Sequence, residues 1–197
     1  MAYISVLSGP GATHSPKMDV GEDGRASHAI WIGSPNFDAR PECEPSSLLV
    51  VHNISLPPGE FGGDGVVRFF TNSLDIAAHP YYFAHLRDVK VSAHFLVCRD
   101  GALFQFVSCN ERAWHAGLSN WRGRDRCNDF SVGVELEGSD DLSYTDSQYD
   151  ILVVLTRALR ARYPIAELVG HSDIAPGRKT DPGPAFDWGR YRAMLGV

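Results

Sequence analysis

The chain has 197 residues, of which 44% are hydrophobic and 21% are charged. This balance is typical of a globular protein and excludes an intrinsically disordered chain, and the length fits a single domain. The formal net charge of -6 excludes a general attraction to nucleic acid or to anionic membranes. An anionic substrate would therefore have to be held by a local cluster of basic side chains.

The first 25 residues contain no basic start followed by a long apolar stretch, and no later window approaches the roughly 18 apolar residues of a membrane span. The sequence thus predicts a cytoplasmic protein without membrane association. The four cysteines form no C-x-x-C pair, which favours reduced thiols that fill the core over a metal or redox role. They are Cys43, Cys98, Cys109 and Cys127.

The segment 1–46 is rich in Gly, Pro and Ser and shows no sustained hydrophobic period, so it is predicted to be an irregular N-terminal arm. The folded domain is predicted to span 47–197. It begins with the apolar run 48–51 between two proline-containing segments, which is typical of a strand buried on both faces. His52 is expected at the end of that strand.

Further strands are predicted at three apolar segments, 93–98, 103–107 and 131–136. The turn signal Arg99-Asp100-Gly101 predicts that the first two of them form a hairpin. The stretch 60–75 shows no clear pattern.

A long helix is predicted after Thr145, because Thr145 and Gln148 form a capping-box pattern and apolar residues then recur at helical spacing until Pro164. One more short strand is predicted at 168–169. Strands separated by a long helix indicate the α/β class, with a single domain in which a central mixed β-sheet is flanked by helices.

Two histidines and one aspartate could form a catalytic metal site: His52, His171 and Asp181. Two histidines with one carboxylate are a recognised catalytic zinc set, because three protein ligands leave the fourth tetrahedral position open for water or substrate. A histidine at a strand end is more often a structural residue than a ligand, so no single member of the set is decisive.

A metal that hydrolyses an amide needs a base to move a proton and a cation to stabilise the oxyanion. Glu135 suits the first role, because a carboxylate inside an otherwise apolar strand requires a partner or a task. Lys179 suits the second. Glu137 lies on the same face of the strand as Glu135, so periodicity cannot choose between them.

Three segments closely resemble the AmpD family of N-acetylmuramoyl-L-alanine amidases. They read LVVHNISLPPGEFGG at 49–63, CNDFSVGVELEG at 127–138 and GHSDIAPGRKTDPG at 170–183. The resemblance runs from about 47 to 188, and three long motifs in the right order make it specific. It implies a zinc amidase fold of the peptidoglycan-recognition-protein and T7-lysozyme type.

The resemblance also implies roles for individual residues. The zinc ligands of the family fall on His52, His171 and Asp181, and its catalytic glutamate and lysine fall on Glu135 and Lys179. The resemblance implies substrate contacts at five further positions, Asn53, Lys90, Trp114, Arg126 and Arg178. Lys90 replaces an arginine of the relatives and would keep its charge without the planar fork.

The remaining histidines are less informative. For His115, which follows Trp114 in a W-H-A-G motif, a structural and a functional role remain open. Three further histidines match no compact ligand motif and are interpreted as structural: His79, His85 and His94.

The resemblance implies a zinc enzyme with one ion that cuts the bond between 1,6-anhydro-N-acetylmuramic acid and L-alanine in recycled muropeptides. The implied partner is the muropeptide alone, with a monomeric protein, and a link to β-lactamase induction follows only from the family. Two alternatives remain open, an amidase of intact peptidoglycan and a non-catalytic peptidoglycan-binding module.

Overall fold

The computed structural model describes residues 17–42 and 44–197. Its centre is a six-stranded sheet with the spatial order β1 (Ile30–Trp31), β5 (Leu103–Gln105), β4 (Phe95–Val97), β9 (Ser131–Glu137), β3 (Leu48–Ile54) and β10 (Glu167–Gly170). Two antiparallel pairs lie outside it, β2 (Phe37–Ala39) with β6 (Glu111–Ala113) and β7 (Asn120–Trp121) with β8 (Arg124–Asp125). The helices are α1 (Gly65–Phe70), α2 (Pro80–Phe83), α3 (Asp146–Arg162), α4 (His171–Ile174) and α5 (Trp188–Leu195).

The sheet is mixed, as the sequence predicts. Strands β4, β9, β3 and β10 are parallel neighbours, whereas β4 and β5 form the predicted antiparallel hairpin. Strand β3 is longer than predicted. It continues through Asn53 and Ile54, which pair with β9, so His52 lies inside the strand and not at its end.

Helix α3 packs on one face of the sheet and supplies much of the core. It begins at the predicted capping box, in which Thr145 Oγ1 accepts a hydrogen bond from Gln148 N at 3.2 Å and Gln148 Oε1 accepts one from Thr145 N at 3.1 Å. Its buried leucines join the apolar residues of β3 and β9 in a single cluster. Because strand side chains alternate between faces, the opposite face of these two strands is free to carry polar residues.

The segment before residue 47 is not irregular throughout, which corrects part of the prediction for the arm. Strand β1 adds to the edge of the central sheet, and β2 pairs with β6. The Gln105 side chain fixes the arm by accepting from Ala26 N and donating to Gly24 O, both at 2.8 Å. Two-residue and three-residue strands carry no readable period, so their partners and not their sequence define them. Residues 1–16 of the arm lie outside the described residues.

Cys109 and Cys127 are fully buried and Cys98 is partly buried, each as a free thiol. Cys43 lies outside the described residues. Among the helices of the described chain, none combines the length and the apolar character needed to cross a membrane.

Candidate metal centre

Three side chains converge on one point at the sheet face opposite α3. The Nδ1 atoms of His52 and His171 lie 3.0 Å apart, and each is 3.1 Å from Asp181 Oδ2. Both histidines are buried, with 1% and 3% of their surfaces exposed. The three residues form a group that could hold a metal ion, and their mixture of two imidazoles and one carboxylate is that of an open catalytic site.

The parallel sheet explains why residues so distant in sequence meet. Strands β3 and β10 are neighbours, so His52 in β3 lies close to His171, which immediately follows β10 as the first residue of α4. Asp181 returns to the same place because its carbonyl accepts a hydrogen bond from Ser172 N at 2.9 Å. The ligand set is therefore assembled by strand pairing together with one returning loop.

Burial and hydrogen bonding shift the pKa values of His52 and Asp181 toward the protonation states that bind a cation. Burial lowers the pKa of His52 to about 4, so the ring is neutral at physiological pH. Burial raises the pKa of Asp181, but hydrogen bonds to His171 and His52 outweigh that effect and hold its pKa well below the usual range. A neutral imidazole and an ionised carboxylate are the protonation states in which these residues ligate metals.

The ring nitrogens that point away from this centre also have partners. His52 Nε2 lies 2.9 Å from Nδ1 of His115, and His171 Nε2 lies 3.1 Å from the carbonyl oxygen of Ala116. Outer partners of this kind fix the tautomer and the orientation of metal-binding histidines. The donor set and its outer partners therefore both fit a metal site.

Glu135 lies beside His52, because the two residues are paired in the register of β3 and β9. Its side chain is buried, and Oε2 has no hydrogen-bond partner among the residues that the structure describes. Burial, with a further effect of the Asp181 charge, raises the pKa of the Glu135 carboxyl well above its usual range. A buried acid with a raised pKa and a free oxygen beside a metal site has the properties of a general base.

Glu137 shares the face of Glu135 but has a different environment. Its Oε1 accepts from Gly62 N at 2.6 Å and its Oε2 accepts from Arg99 N at 3.1 Å. Glu137 therefore accepts backbone hydrogen bonds through both oxygens and fixes two separate loops. The structure separates the two glutamates that periodicity could not.

Lys179 is exposed and follows α4, where its backbone N donates to Ala175 O at 3.0 Å. Its positive charge lowers the pKa of both Glu135 and His52, although this effect is smaller than that of burial. The ammonium group is therefore close enough to act electrostatically on the same centre as the three ligands.

The five residues predicted to contact substrate fall into two groups. The side chains of Asn53 and Arg178 donate hydrogen bonds to neighbouring loops, with Asn53 partly buried and Arg178 exposed. Asn53 Nδ2 donates to Asp140 Oδ1 and to Pro182 O, at 2.8 and 3.1 Å. Arg178 Nη2 donates to the carbonyl oxygens of Ala116 and Leu118 at 2.7 and 2.6 Å.

The other three differ in their exposure. Lys90 is exposed, Trp114 is half-buried, and the Arg126 side chain is 69% exposed while its Nε lies 3.1 Å from Asp129 Oδ2. The structure brings the three candidate ligands together with Glu135, and it leaves Lys90, Arg126 and Arg178 exposed.

Sequence reasoning left His115 undecided, although the structure places it directly under the metal centre. One signal was available, since Gly133 interrupts the apolar pattern of β9. A Cβ atom at Gly133 would lie 2.6 Å from His115 Nδ1, so only glycine lets the ring pack on the strand. Glycine inside a strand often marks such a close approach.

Comparison with known proteins gives one consistent result. The family model for N-acetylmuramoyl-L-alanine amidase matches residues 43–184. The 1,6-anhydro-N-acetylmuramyl-L-alanine amidase AmpD of Salmonella typhimurium (strain SL1344) is 58% identical over 168 residues, which cover 84% of this chain and 89% of that protein.

Two solved structures extend the comparison. A crystal structure of a selenomethionine derivative of AmpD has a TM-score of 0.86 at 56% identity and covers 88% of this chain and 98% of its own. The Escherichia coli amidase AmiD, in complex with the substrate anhydro-N-acetylmuramic acid-L-Ala-D-γ-Glu-L-Lys, has a TM-score of 0.54 at 29% identity. That match covers 93% of this chain and 67% of AmiD.

Proposed function

Because this chain belongs to the N-acetylmuramoyl-L-alanine amidase family, we propose that it uses one zinc ion to hydrolyse the amide between 1,6-anhydro-N-acetylmuramic acid and L-alanine. The enzyme class follows from the family. The observation that carries the proposed mechanism is the convergence of His52, His171 and Asp181 beside the buried carboxyl of Glu135. The preference for the anhydro sugar is supported by AmpD relatives that match over most of the chain.

In this mechanism the side chains have distinct tasks. A zinc ion held by the three ligands would supply Lewis acidity toward the amide carbonyl and the attacking water. The Glu135 carboxylate takes the proton of the water and passes it to the leaving nitrogen of L-alanine. The new C–O bond forms first, at the carbonyl carbon of the muramic acid amide, and the C–N bond then breaks as the nitrogen is protonated. The products are the sugar acid and a peptide with a free amino terminus.

Lys179 stabilises the negative charge that develops on the carbonyl oxygen, because its ammonium already acts on the charges of this centre. We propose that Arg126 and Lys90, the exposed cations, hold carboxylates of the stem peptide. Trp114 offers a flat apolar surface for the sugar or the peptide. Arg178 and Asn53 contribute to substrate binding by fixing the loops to which their side chains donate hydrogen bonds.

The same proposal includes a soluble muropeptide as the partner, a cytoplasmic location and a monomeric state, with no nucleic-acid or membrane partner. The negative net charge supports the absence of a nucleic-acid or membrane partner, and the names of the AmpD relatives support the muropeptide as partner. A non-catalytic binding module is disfavoured because the ligand set, the glutamate and the lysine are all present.

The proposal is tested by mass spectrometry of anhydro-N-acetylmuramyl tripeptide incubated with the purified protein. We expect free tripeptide to be released, the release to stop after treatment with a chelator and to return with added zinc. Intact sacculi serve as a second substrate. An enzyme that is unaffected by the chelator would refute the metal role, and a strong preference for sacculi would refute the proposed substrate.

A further inference from the structure

His115 has a role that neither the ligand set nor the comparisons assign to it. We propose that His115 is a positioning residue that fixes the tautomer of His52, so that His52 Nδ1 presents a free lone pair to the metal. The inference rests on the proposed zinc function and extends it to a buried residue outside the ligand set. The inference depends on one buried chain of hydrogen bonds, from Ser131 through His115 to His52, in which donor and acceptor can be assigned in only one way.

The direction of the chain is set at its far end. Ser131 Oγ lies 2.5 Å from the carbonyl oxygen of Cys127, and a carbonyl oxygen can only accept, so the Ser131 hydroxyl must donate to it. Ser131 Oγ also lies 3.1 Å from Nε2 of His115. Since the only hydroxyl proton is already used, Ser131 must accept and His115 Nε2 must carry a proton.

The same reasoning determines which ring nitrogen of His52 carries the proton. A neutral imidazole has one N–H, so His115 Nδ1 is unprotonated and accepts a hydrogen bond. Its neighbour at 2.9 Å is Nε2 of His52, which must therefore be the donor. His52 Nδ1 is consequently left with a lone pair, and this atom faces His171 Nδ1 and Asp181 Oδ2.

The ring of His115 is held firmly enough to perform this task. It is 8% exposed and packs on the bare backbone of Gly133. Asn128 Oδ1 accepts from the backbone N of both His115 and Ala116, at 3.1 and 2.8 Å. The Ala116 carbonyl oxygen in turn accepts from His171 Nε2. One short loop thus orients both histidine ligands, one through a side chain and the other through a carbonyl group.

The zinc dissociation constant, measured by competition with a fluorescent chelator, tests the inference without reference to activity. His115→Phe keeps a ring of similar size but removes the acceptor, and we expect zinc binding to weaken by about 10–100-fold. His115→Asn retains an acceptor near the Nδ1 position and should recover part of that loss. Ser131→Ala frees the His115 tautomer and should weaken binding less than His115→Phe does.

His94→Asn is the matched control. His94 is also a buried histidine that bonds to Gly133, through a 3.0 Å bond from Gly133 N to His94 Nδ1, but no hydrogen bond joins it to a ligand among the described residues. The zinc affinity of the His94→Asn variant should therefore equal that of the wild-type protein. Equal losses in His94→Asn and His115→Phe would overturn the inference in favour of a general packing effect.

A second readout uses zinc-free wild-type protein labelled with ¹⁵N-histidine. Long-range ¹H–¹⁵N correlation spectra report which ring nitrogen carries the proton, and we expect Nε2–H on both His52 and His115. A proton on His115 Nδ1 would overturn the inference even if His115→Phe failed to fold. If wild-type protein bound no zinc, the proposed function would fail, whereas the two tautomers would still test the role of His115.

Discussion

Glu135 and Glu137 lie two residues apart on the same face of β9, yet only Glu137 has backbone partners for both of its oxygens. Glu135 instead lies beside His52, and its buried Oε2 has no hydrogen-bond partner among the described residues. Two identical side chains on one strand face thus differ in their hydrogen bonding. The difference predicts which of them moves protons and which of them holds the fold together.

We expect Glu135→Gln to lower kcat by about 10²–10⁴-fold while zinc stays bound, because the amide cannot take a proton. Glu137→Gln is the matched control. It replaces one acceptor oxygen by an NH₂ group that faces a backbone N–H, so it should cost about 1–3 kcal/mol of stability with little effect on kcat. Steady-state kinetics and metal content check both variants. A nearly fully active Glu135→Gln would show that the base is another group.

The raised pKa of Glu135 predicts a pH-dependent stability. The folded state disfavours its ionisation, so its contribution is complete below the usual pKa of 4.5 and is lost as the pH rises through the raised value. In zinc-free protein, Glu135→Gln should therefore gain stability relative to wild type as the pH increases above 4.5. The limiting slope is about 1.4 kcal/mol per pH unit. Denaturant unfolding across a pH series measures it, and parallel pH profiles would contradict the prediction.

Removing one ligand should abolish metal binding and catalysis together. His171→Ala leaves two donors, and two donors do not form a catalytic zinc site. We expect zinc content and turnover to fall together. His79→Ala changes an exposed histidine and should preserve both, as measured by elemental analysis and product release. Full activity of a zinc-free His171→Ala would refute the metal assignment.

The loop that carries Asp181 is anchored at its next residue. Tyr144 Oη and Asn53 Nδ2 both donate to Pro182 O, at 2.8 and 3.1 Å. Tyr144→Phe removes one of these two bonds and should lower the free energy of unfolding by about 1 kcal/mol. It should also weaken zinc binding slightly, because Asp181 gains freedom. Thermal unfolding with and without zinc tests this expectation, and an identical response to zinc in both proteins would argue against the anchor.

Arg126 is predicted to act on substrate and not on the fold. Because its side chain is 69% exposed, its ion pair with Asp129 contributes little to stability. Arg126→Ala should raise KM with little change in kcat or in the unfolding midpoint. Arg124→Ala, at a neighbouring exposed arginine, provides the control and should leave KM unchanged. An equal KM for wild type and Arg126→Ala would remove Arg126 from the peptide site.

The elements that the sequence predicts are those with a strong local pattern. Apolar spacing and clear boundaries occur together in three elements: strand β3, the hairpin of β4 and β5, and the capped helix α3. Strand β1 has no such pattern, because its two residues are exposed and depend on β5 for their conformation. Helix α1, in the unreadable stretch 60–75, is only six residues long.

In the candidate site, too, some features could be predicted from the sequence and others depend on contacts between distant segments. Residue types and family motifs were sufficient to nominate the ligands, because metal chemistry restricts which side chains can serve. The partners of Glu137 could not be predicted, since Gly62 and Arg99 reach it from two separate loops. The role of His115 likewise depends on Ser131 and His52, which only the parallel sheet brings within hydrogen-bonding distance.

The shortness of the outer strands has a consequence for association. The sheet ends at the two residues of β1 on one side and the four residues of β10 on the other. On the β10 side, Glu167 accepts from Trp121 Nε1 at 2.8 Å and pairs with Arg122 at 2.7 Å. Such short edges, one of which carries the charged Glu167, give a foreign strand few backbone groups to pair with, and this protects natural sheets from edge-to-edge aggregation. Within the described part of the chain, the sheet therefore offers little template for fibres or for swapped strands.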